Sequence, residues 1–200
     1  SGKTGLFAVL ERKNKPLTPL VNNTQNSTSA SPPQFTINPP TTVSSLYSGI
    51  MNGSEVARFE ANIENHLASG RDSKDLAKSY VEAMTNPKPG SKPLNLPASF
   101  DKDAFTEKLE FAIKERKSQM DFQNLGGLIA DKDAAAGFVE QLDKNLLDNR
   151  TPSQIASDLT PMFYLDDDAR SHPKMTKVEF ENQLSKLITE RQNLFTSSRK

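Results

Sequence analysis

The sequence has 200 residues and no cysteine, and its 25 lysines and arginines balance 25 aspartates and glutamates. The lack of cysteine excludes disulfides, thiol catalysis and thiolate zinc sites, and it favours the cytoplasm or export from a bacterium. The charge balance provides no global field for nucleic acid or an anionic membrane, so neither partner is expected. No apolar run approaches the roughly 18 residues of a membrane-spanning helix, so we expect a soluble chain with no membrane span.

The first part of the chain has an unusual composition. Residues 14–42 are dominated by Pro, Ser, Thr and Asn. Such a segment buries too little apolar surface to offset the entropy that it loses on ordering. We therefore predict an extended or disordered tail over residues 1–50, with the first helix possible from about Ser45.

Three helices are predicted to follow the tail. The first runs from about Ser54 to Ser69 and ends at Gly70, because glycine accepts the left-handed turn after a helix. Asp72 caps the second, which ends before Pro87. A crossover rich in Pro and Lys leads to the third helix, which begins after Asp101 and stops before Gly126.

Three further helices are predicted in the C-terminal half. The fourth covers about Asp133–Asp148, and Asn149 is suited to the left-handed turn after it. The fifth begins at Pro152 and is broken near Pro161. The last covers Met175–Phe195, and Thr176 with Glu179 has the pattern of a capping box.

The helices suggest an internal duplication. Phe59 to Tyr80 aligns with Phe138 to Leu159 at an offset of 79 positions, and Phe105 to Arg116 aligns with Phe180 to Arg191 at an offset of 75. Shared Phe and Leu spacing in one pair of helices would be unremarkable, but three helices occur in the same order with matching caps. The sequence thus predicts an all-α helical bundle of two tandem three-helix units, 51–122 and 123–197, packed as one domain.

Four arginines recur at equivalent positions of the two predicted units. They are Arg71, Arg116, Arg150 and Arg191. One interpretation is structural, because such side chains cap helix carbonyls or pair with the nearby Glu115 and Glu190. The other is a basic strip that binds an acidic partner.

An acidic loop near the C-terminus offers the main candidate for chemistry. Asp166 and Asp168 could ligate a divalent cation, with His172 as an acid or base, in a metal-dependent hydrolase or phosphoryl-transfer fragment. The run lacks the alternating donors and distal Glu of a calcium loop, so a solvated loop is the favoured interpretation. We find no catalytic triad or metal-binding motif and expect no cofactor.

The function predicted from these patterns is that of a non-enzymatic protein–protein interaction module. A helical repeat surface without catalytic residues and a Pro-rich tail suit partner binding. By analogy of composition, such a module could belong to a secreted bacterial effector or to an adaptor. The metal-dependent enzyme using the loop 166–172 is the alternative.

Overall fold

The computed structural model describes residues 41–125 and 132–196, and these residues form seven α-helices and no β-strand. The all-α prediction is therefore confirmed for this part of the chain. The helices are α1 (Val43–Tyr47), α2 (Gly53–Ala68), α3 (Ser73–Thr85), α4 (Lys102–Asn124), α5 (Lys132–Leu147), α6 (Pro152–Leu159) and α7 (Lys177–Thr196). Two 3-10 turns, Thr160–Tyr164 and Ala169–Ser171, lie between α6 and α7.

Helix α1 lies within the segment that the sequence predicts to be an extended or disordered tail. Residues 1–40 lie outside the described residues, but residues 43–47 of the predicted tail are helical. The Thr42 hydroxyl accepts the Ser45 N–H at 3.0 Å, and the Ser45 hydroxyl accepts the Thr42 N–H at 3.1 Å. Val43 and Tyr47, four positions apart, are both buried. A local cap and tertiary burial thus order residues whose composition alone indicates an extended chain.

Two of the three helix starts predicted in the C-terminal half, those of α6 and α7, are confirmed by their caps. Thr151 and Gln154 satisfy each other's backbone N–H groups, with Pro152 in the first turn. Thr176 and Glu179 form the same box, in which Glu179 accepts the Thr176 N–H at 2.9 Å. This backbone hydrogen bond, together with one from the Thr176 hydroxyl, holds the pKa of Glu179 below its ordinary value of 4.5.

The turns after α2 and α5 use the same backbone geometry. Gly70 has a φ of 84° and Asn149 a φ of 58°, as the sequence predicted for both positions. The Gly70 N–H donates to the Leu67 carbonyl at 3.0 Å. The Asn149 N–H donates to the Leu146 carbonyl at 3.1 Å. Each turn therefore satisfies carbonyls at the end of one helix just before the next helix begins.

The described residues divide into two compact units, a first unit of residues 41–118 and a second unit of residues 119–125 and 132–196. Helix α4 passes from one to the other. In the first unit, α1 packs on α2 and α2 packs on α3. The Tyr47 ring lies 4.5 Å from that of Phe59 and 5.4 Å from that of Phe105, so α1 supplies the aromatic side chain that joins α2 and α4.

An aromatic cluster also forms the core of the second unit. Phe138 lies 5.8 Å from Phe122 and 6.0 Å from Phe163 between ring centroids. Phe163 in turn lies 4.7 Å from Phe180. All four side chains are buried, and they come from α4, α5, the first 3-10 turn and α7. The break at Pro161 thus leaves a short turn whose side chains still reach the core.

Two tyrosine hydroxyls in the first unit carry an energetic cost. The hydroxyls of Tyr47 and Tyr80 are buried and make no hydrogen bond within the described residues. Burial, and secondarily the neighbouring Tyr80, raises the pKa of Tyr47 above its ordinary value. A hydroxyl that loses water and gains no partner costs about 1–3 kcal/mol. The aromatic packing of Tyr47 must offset this cost.

We expect Tyr47→Phe to leave the free energy of unfolding unchanged or to raise it by about 1 kcal/mol, because it removes only the unsatisfied hydroxyl. Tyr164→Phe is the matched control, since the Tyr164 hydroxyl donates to the Met175 carbonyl at 2.8 Å. The free energy of unfolding of that variant should fall by about 1 kcal/mol. Urea unfolding followed by circular dichroism compares the two. Equal losses would mean that the Tyr47 hydroxyl is hydrogen-bonded in solution.

Candidate functional site

An open groove with a volume of about 740 Å³ lies in the first unit. This volume is within the range of roughly 300–1,000 Å³ that ligand sites occupy. Its walls come from the loop after α1, one side of α2 and the crossover between α3 and α4. The lining residues are Ile50, Met51, Asn52, Glu55, Arg58, Phe59, Asn62, Lys92, Pro93, Leu94 and Asn95.

The helical wall of the groove follows from the periodicity of α2. Glu55, Arg58, Phe59 and Asn62 are spaced three and four positions apart, so they share one side of the helix. Ile63 and Leu67 are buried and belong to the core stripe of the same helix. The groove wall therefore lies beside the core stripe, at the edge where apolar and polar residues meet.

The opposite wall is a segment of the crossover. Residues 92–97 form neither helix nor strand, and Pro93 fixes its own φ while it restricts Lys92 to an extended conformation. Gly90 precedes the segment with a φ of 89°, a left-handed conformation that suits glycine. At the far end of the crossover, Lys102 pairs with Glu82 at 2.7 Å. The wall is thus restricted by proline stereochemistry at Lys92 and Pro93, and it turns at Asn95, where the Leu96 N–H donates to the Leu94 carbonyl at 3.1 Å.

Phe59 makes the groove wall rigid. Its ring lies 4.5 Å from that of Tyr47 and 4.5 Å from that of Tyr80. The side chain is therefore part of the aromatic cluster as well as of the groove. Ile50, Met51 and Leu94 are half-buried around it, so the groove offers apolar surface whose positions are already fixed.

The charges of the groove are not balanced. Glu55 is used locally, because its carboxylate accepts the Asn52 N–H at 3.0 Å in the cap of α2. Arg58 and Lys92 are exposed, and within residues 41–125 and 132–196 they have no ion-pair partner. The groove therefore presents two free cations beside an apolar centre.

Arg191, one of the four predicted binding arginines, is buried in the second unit. Its exposed fraction is 1%, and its guanidinium donates to both oxygens of Asp143 at 2.6 and 2.7 Å. The guanidinium also lies 4.9 Å from the ring of Phe195. This side chain serves the interior of the unit and does not form part of a surface strip.

Arg116 and Arg150 are also engaged within the protein. Arg116 donates to Glu64 at 2.8 Å, a residue 52 positions earlier in the chain. Arg150 pairs with Asp158 and donates to Asn145 at 2.7 Å. The Arg116 partner Glu64 lies on α2, and the Arg150 partners lie on α5 and α6. Arg71, the fourth, is exposed.

The acidic loop contains a positively charged side chain, that of Arg170. The Asp168 carboxylate accepts hydrogen bonds from the Arg170 side chain at 2.9 and 3.0 Å, and these bonds hold the pKa of Asp168 below its ordinary value. Asp166 accepts the Asp168 N–H at 3.0 Å, and the His172 ring nitrogen lies 2.5 Å from the Asp166 carbonyl. No group of three or more His, Asp or Glu able to hold a metal occurs among the described residues.

Two further findings concern membrane spans and similarity to known proteins. In the described part of the chain, no helix combines the length and the apolar character needed to cross a membrane. Comparison with protein-family models, with curated proteins and with solved structures finds no match to this chain.

Sequence reasoning did not identify the groove. The sequence predicts a crossover rich in Pro and Lys for one wall and a helix over about Ser54–Ser69 for the other. No sequence pattern indicated that Lys92 and Leu94 line the same cavity as Arg58. The only available signal was the proline spacing, which predicts an extended segment but not the surface beside which it lies.

We expect millimolar Mg²⁺, Ca²⁺ or Mn²⁺ to leave the melting temperature unchanged, because the Arg170 cation already occupies the Asp168 carboxylate. A specific site would stabilise the fold by about 2.7 kcal/mol at a hundredfold excess over its dissociation constant. Asp168→Ala should melt like the parent protein with and without metal. A cation-dependent rise in melting temperature that this substitution abolishes would support the enzymatic alternative.

Proposed function

We propose that this protein is a non-enzymatic helical module that binds a protein partner in the groove of its first unit. The observation that carries the proposal is the groove itself, in which rigid apolar side chains lie beside two cations that have no ion-pair partner among the residues that the structure describes. Concave sites with an apolar centre and a few polar groups are the usual form of binding sites. A buried aromatic anchor surrounded by polar groups is also typical of the energetic centre of protein interfaces.

A protein partner is favoured over nucleic acid by the charge distribution. The sequence has equal numbers of acidic and basic residues, whereas nucleic-acid binding depends on a basic surface that contacts several phosphates. Two cations in one groove can pair with a carboxylate but cannot follow a phosphate backbone. The placement in a secreted bacterial effector or an adaptor remains part of this proposal and rests on composition alone.

The proposed partner site can be tested by photo-crosslinking. We expect p-benzoylphenylalanine at position 94, in place of Leu94, to give a discrete protein adduct in an extract of the cells that make the protein. The same amino acid in place of Lys78, which is exposed on α3 outside the groove, is the matched control and should give none. Mass spectrometry identifies the adduct.

Two outcomes of this experiment would contradict the proposal. Equal adducts at both positions would mean that the extract reacts without selectivity. Crosslinks from position 94 only to other residues of the same chain would mean that the protein fills its own groove.

We also propose that the chain consists of two tandem three-helix units, 51–122 and 123–197, that arose by duplication. The helix bounds support this, because α2 and α5 are both 16 residues long and begin 79 positions apart, at Gly53 and Lys132. The start of α3 at Ser73 and that of α6 at Pro152 differ by the same 79 positions. Helices α4 and α7 begin 75 positions apart.

The ion pairs support the duplication independently of helix spacing. Glu64 and Asp143 are 79 positions apart, and their partners Arg116 and Arg191 are 75 positions apart. Each pair therefore joins the residues that the two offsets make equivalent. Amphipathic periodicity alone does not produce this agreement, because the pattern of apolar residues does not specify which charged side chains meet.

We expect favourable coupling at both ion pairs in double-mutant cycles, with the larger value for Arg191 and Asp143 because this pair is more buried. Arg191→Met alone should lower the free energy of unfolding by about 3–5 kcal/mol, since it leaves a buried carboxylate without its partner. The double variant Arg191→Met with Asp143→Leu should recover most of that loss. Arg116→Met should lower the free energy of unfolding by about 1 kcal/mol. Urea unfolding measures these values, and zero coupling between Arg116 and Glu64 would count against the equivalence of the two pairs.

A further inference from the structure

We propose that the occupant of the groove is an extended peptide that carries a carboxylate side chain next to a large apolar side chain. This inference rests on the proposed function and specifies the chemistry of its partner. It follows from three properties of the lining, namely an apolar anchor site, two cations and a wall with free backbone groups.

The apolar part of the lining indicates which side chain of the peptide would serve as its anchor. Met51, Phe59 and Leu94 line the groove and are only half-buried in the protein itself. Phe59 is held by rings on both sides, so a side chain packed on it pays little for reorganisation. A leucine, isoleucine or phenylalanine of the partner would bury apolar area on both surfaces.

The two cations of the groove indicate that the residue next to this anchor in the peptide would carry a carboxylate. Arg58 and Lys92 come from opposite walls of the groove, and neither has an ion-pair partner in residues 41–125 and 132–196. Among the described lining residues, the one carboxylate, Glu55, accepts the cap N–H of α2 and keeps its charge, so the lining carries one net positive charge. An incoming carboxylate therefore meets two cations that form no ion pair with Glu55, and a guanidinium binds carboxylates in bidentate geometry.

The crossover wall selects an extended backbone. In the described part of the chain, the N–H groups of Lys92, Leu94 and Asn95 make no hydrogen bond, and the side-chain amides of Asn62 and Asn95 make none. An extended peptide beside residues 92–95 could use these groups, as peptides do that add a strand to an exposed edge. A helical partner would offer no free backbone groups, because its own helix satisfies them.

The chain's own N-terminal segment is a poor match to this chemistry. Residues 16–54 contain no Asp, Glu, Lys, Arg or His. Residues 1–15 place one carboxylate, Glu11, next to Leu10, but they also carry four basic side chains, Lys3, Arg12, Lys13 and Lys15. The segment is therefore net basic, which disfavours it beside Arg58 and Lys92. The charge of the groove thus favours a separate acidic peptide.

Selection from a display library of random dodecapeptides on the full chain tests the proposal. We expect enriched peptides to place Asp or Glu next to Leu, Ile or Phe. Fluorescence anisotropy with one labelled enriched peptide should show at least roughly tenfold weaker binding to Arg58→Glu/Lys92→Glu. A peptide with its acidic residue changed to lysine should bind that variant better than it binds the parent protein. Lys74→Glu/Lys78→Glu makes the same change in charge on exposed residues of α3 and should bind like the parent protein.

The outcomes separate this inference from the proposed function. Enriched peptides without acidic residues, or equal affinity for the parent protein and Arg58→Glu/Lys92→Glu, would overturn the inference. If such peptides still lost affinity for Leu94→Asp, the groove would remain the binding site and the proposed function would stand. If no peptide were enriched, or if Leu94→Asp left every enriched peptide unaffected, both would fail. Circular dichroism of each variant checks that a loss of binding is not a loss of fold.

Discussion

The buried ion pair between Asp143 and Arg191 is the interaction that constrains the second unit most strongly. Two charge-assisted hydrogen bonds in a bidentate arrangement restrict the distance and the orientation between α5 and α7. Apolar packing alone is less selective, since similar side chains can slide past one another. The ion pair therefore sets the alignment of the two helices, and the aromatic cluster fills the space that this alignment creates. In the first unit, Glu64 and Arg116 apply the same kind of constraint between α2 and α4.

The capped turns complete this arrangement at low cost. The positive φ values at Gly70 and Asn149 reverse the chain within a few residues, and the next helix starts with a side-chain cap at Asp72 or Thr151. Glycine adopts this conformation freely, whereas asparagine is one of the few other residues that tolerate it. The same backbone geometry is thus reached with two different residues. The starts of α2 and α5, and those of α3 and α6, therefore lie the same 79 positions apart although the turn residues differ.

Much of the fold could be predicted from the sequence because local signals and apolar periodicity agree in most helices. The cap at Thr176, the stop at Gly70 and the break near Pro161 each depend on neighbours within four residues. For α1, the sequence predicts only that the first helix could start as early as Ser45; the separate helix is missed because its cap uses Ser45 in place of the usual Glu or Gln and its stability depends on burial of Tyr47. The partners of Arg116 and Arg191 lie about 50 residues away in sequence, which no local pattern specifies. The groove was missed for the same reason, because its two walls are distant in sequence and only tertiary structure brings them together.

The shared position of Phe59 links the groove to the stability of α1. Its ring contacts Tyr47, the last residue of this five-residue helix, and also lines the groove. A helix this short cannot persist without its tertiary contacts, so it opens as a local unit whenever Tyr47 leaves the aromatic cluster. Such opening would remove the support behind Phe59, so the proposed occupant of the groove would bind the closed form better than the open one. Occupancy would then lower the population of the open form, and slower amide hydrogen exchange in α1 would report binding in the groove.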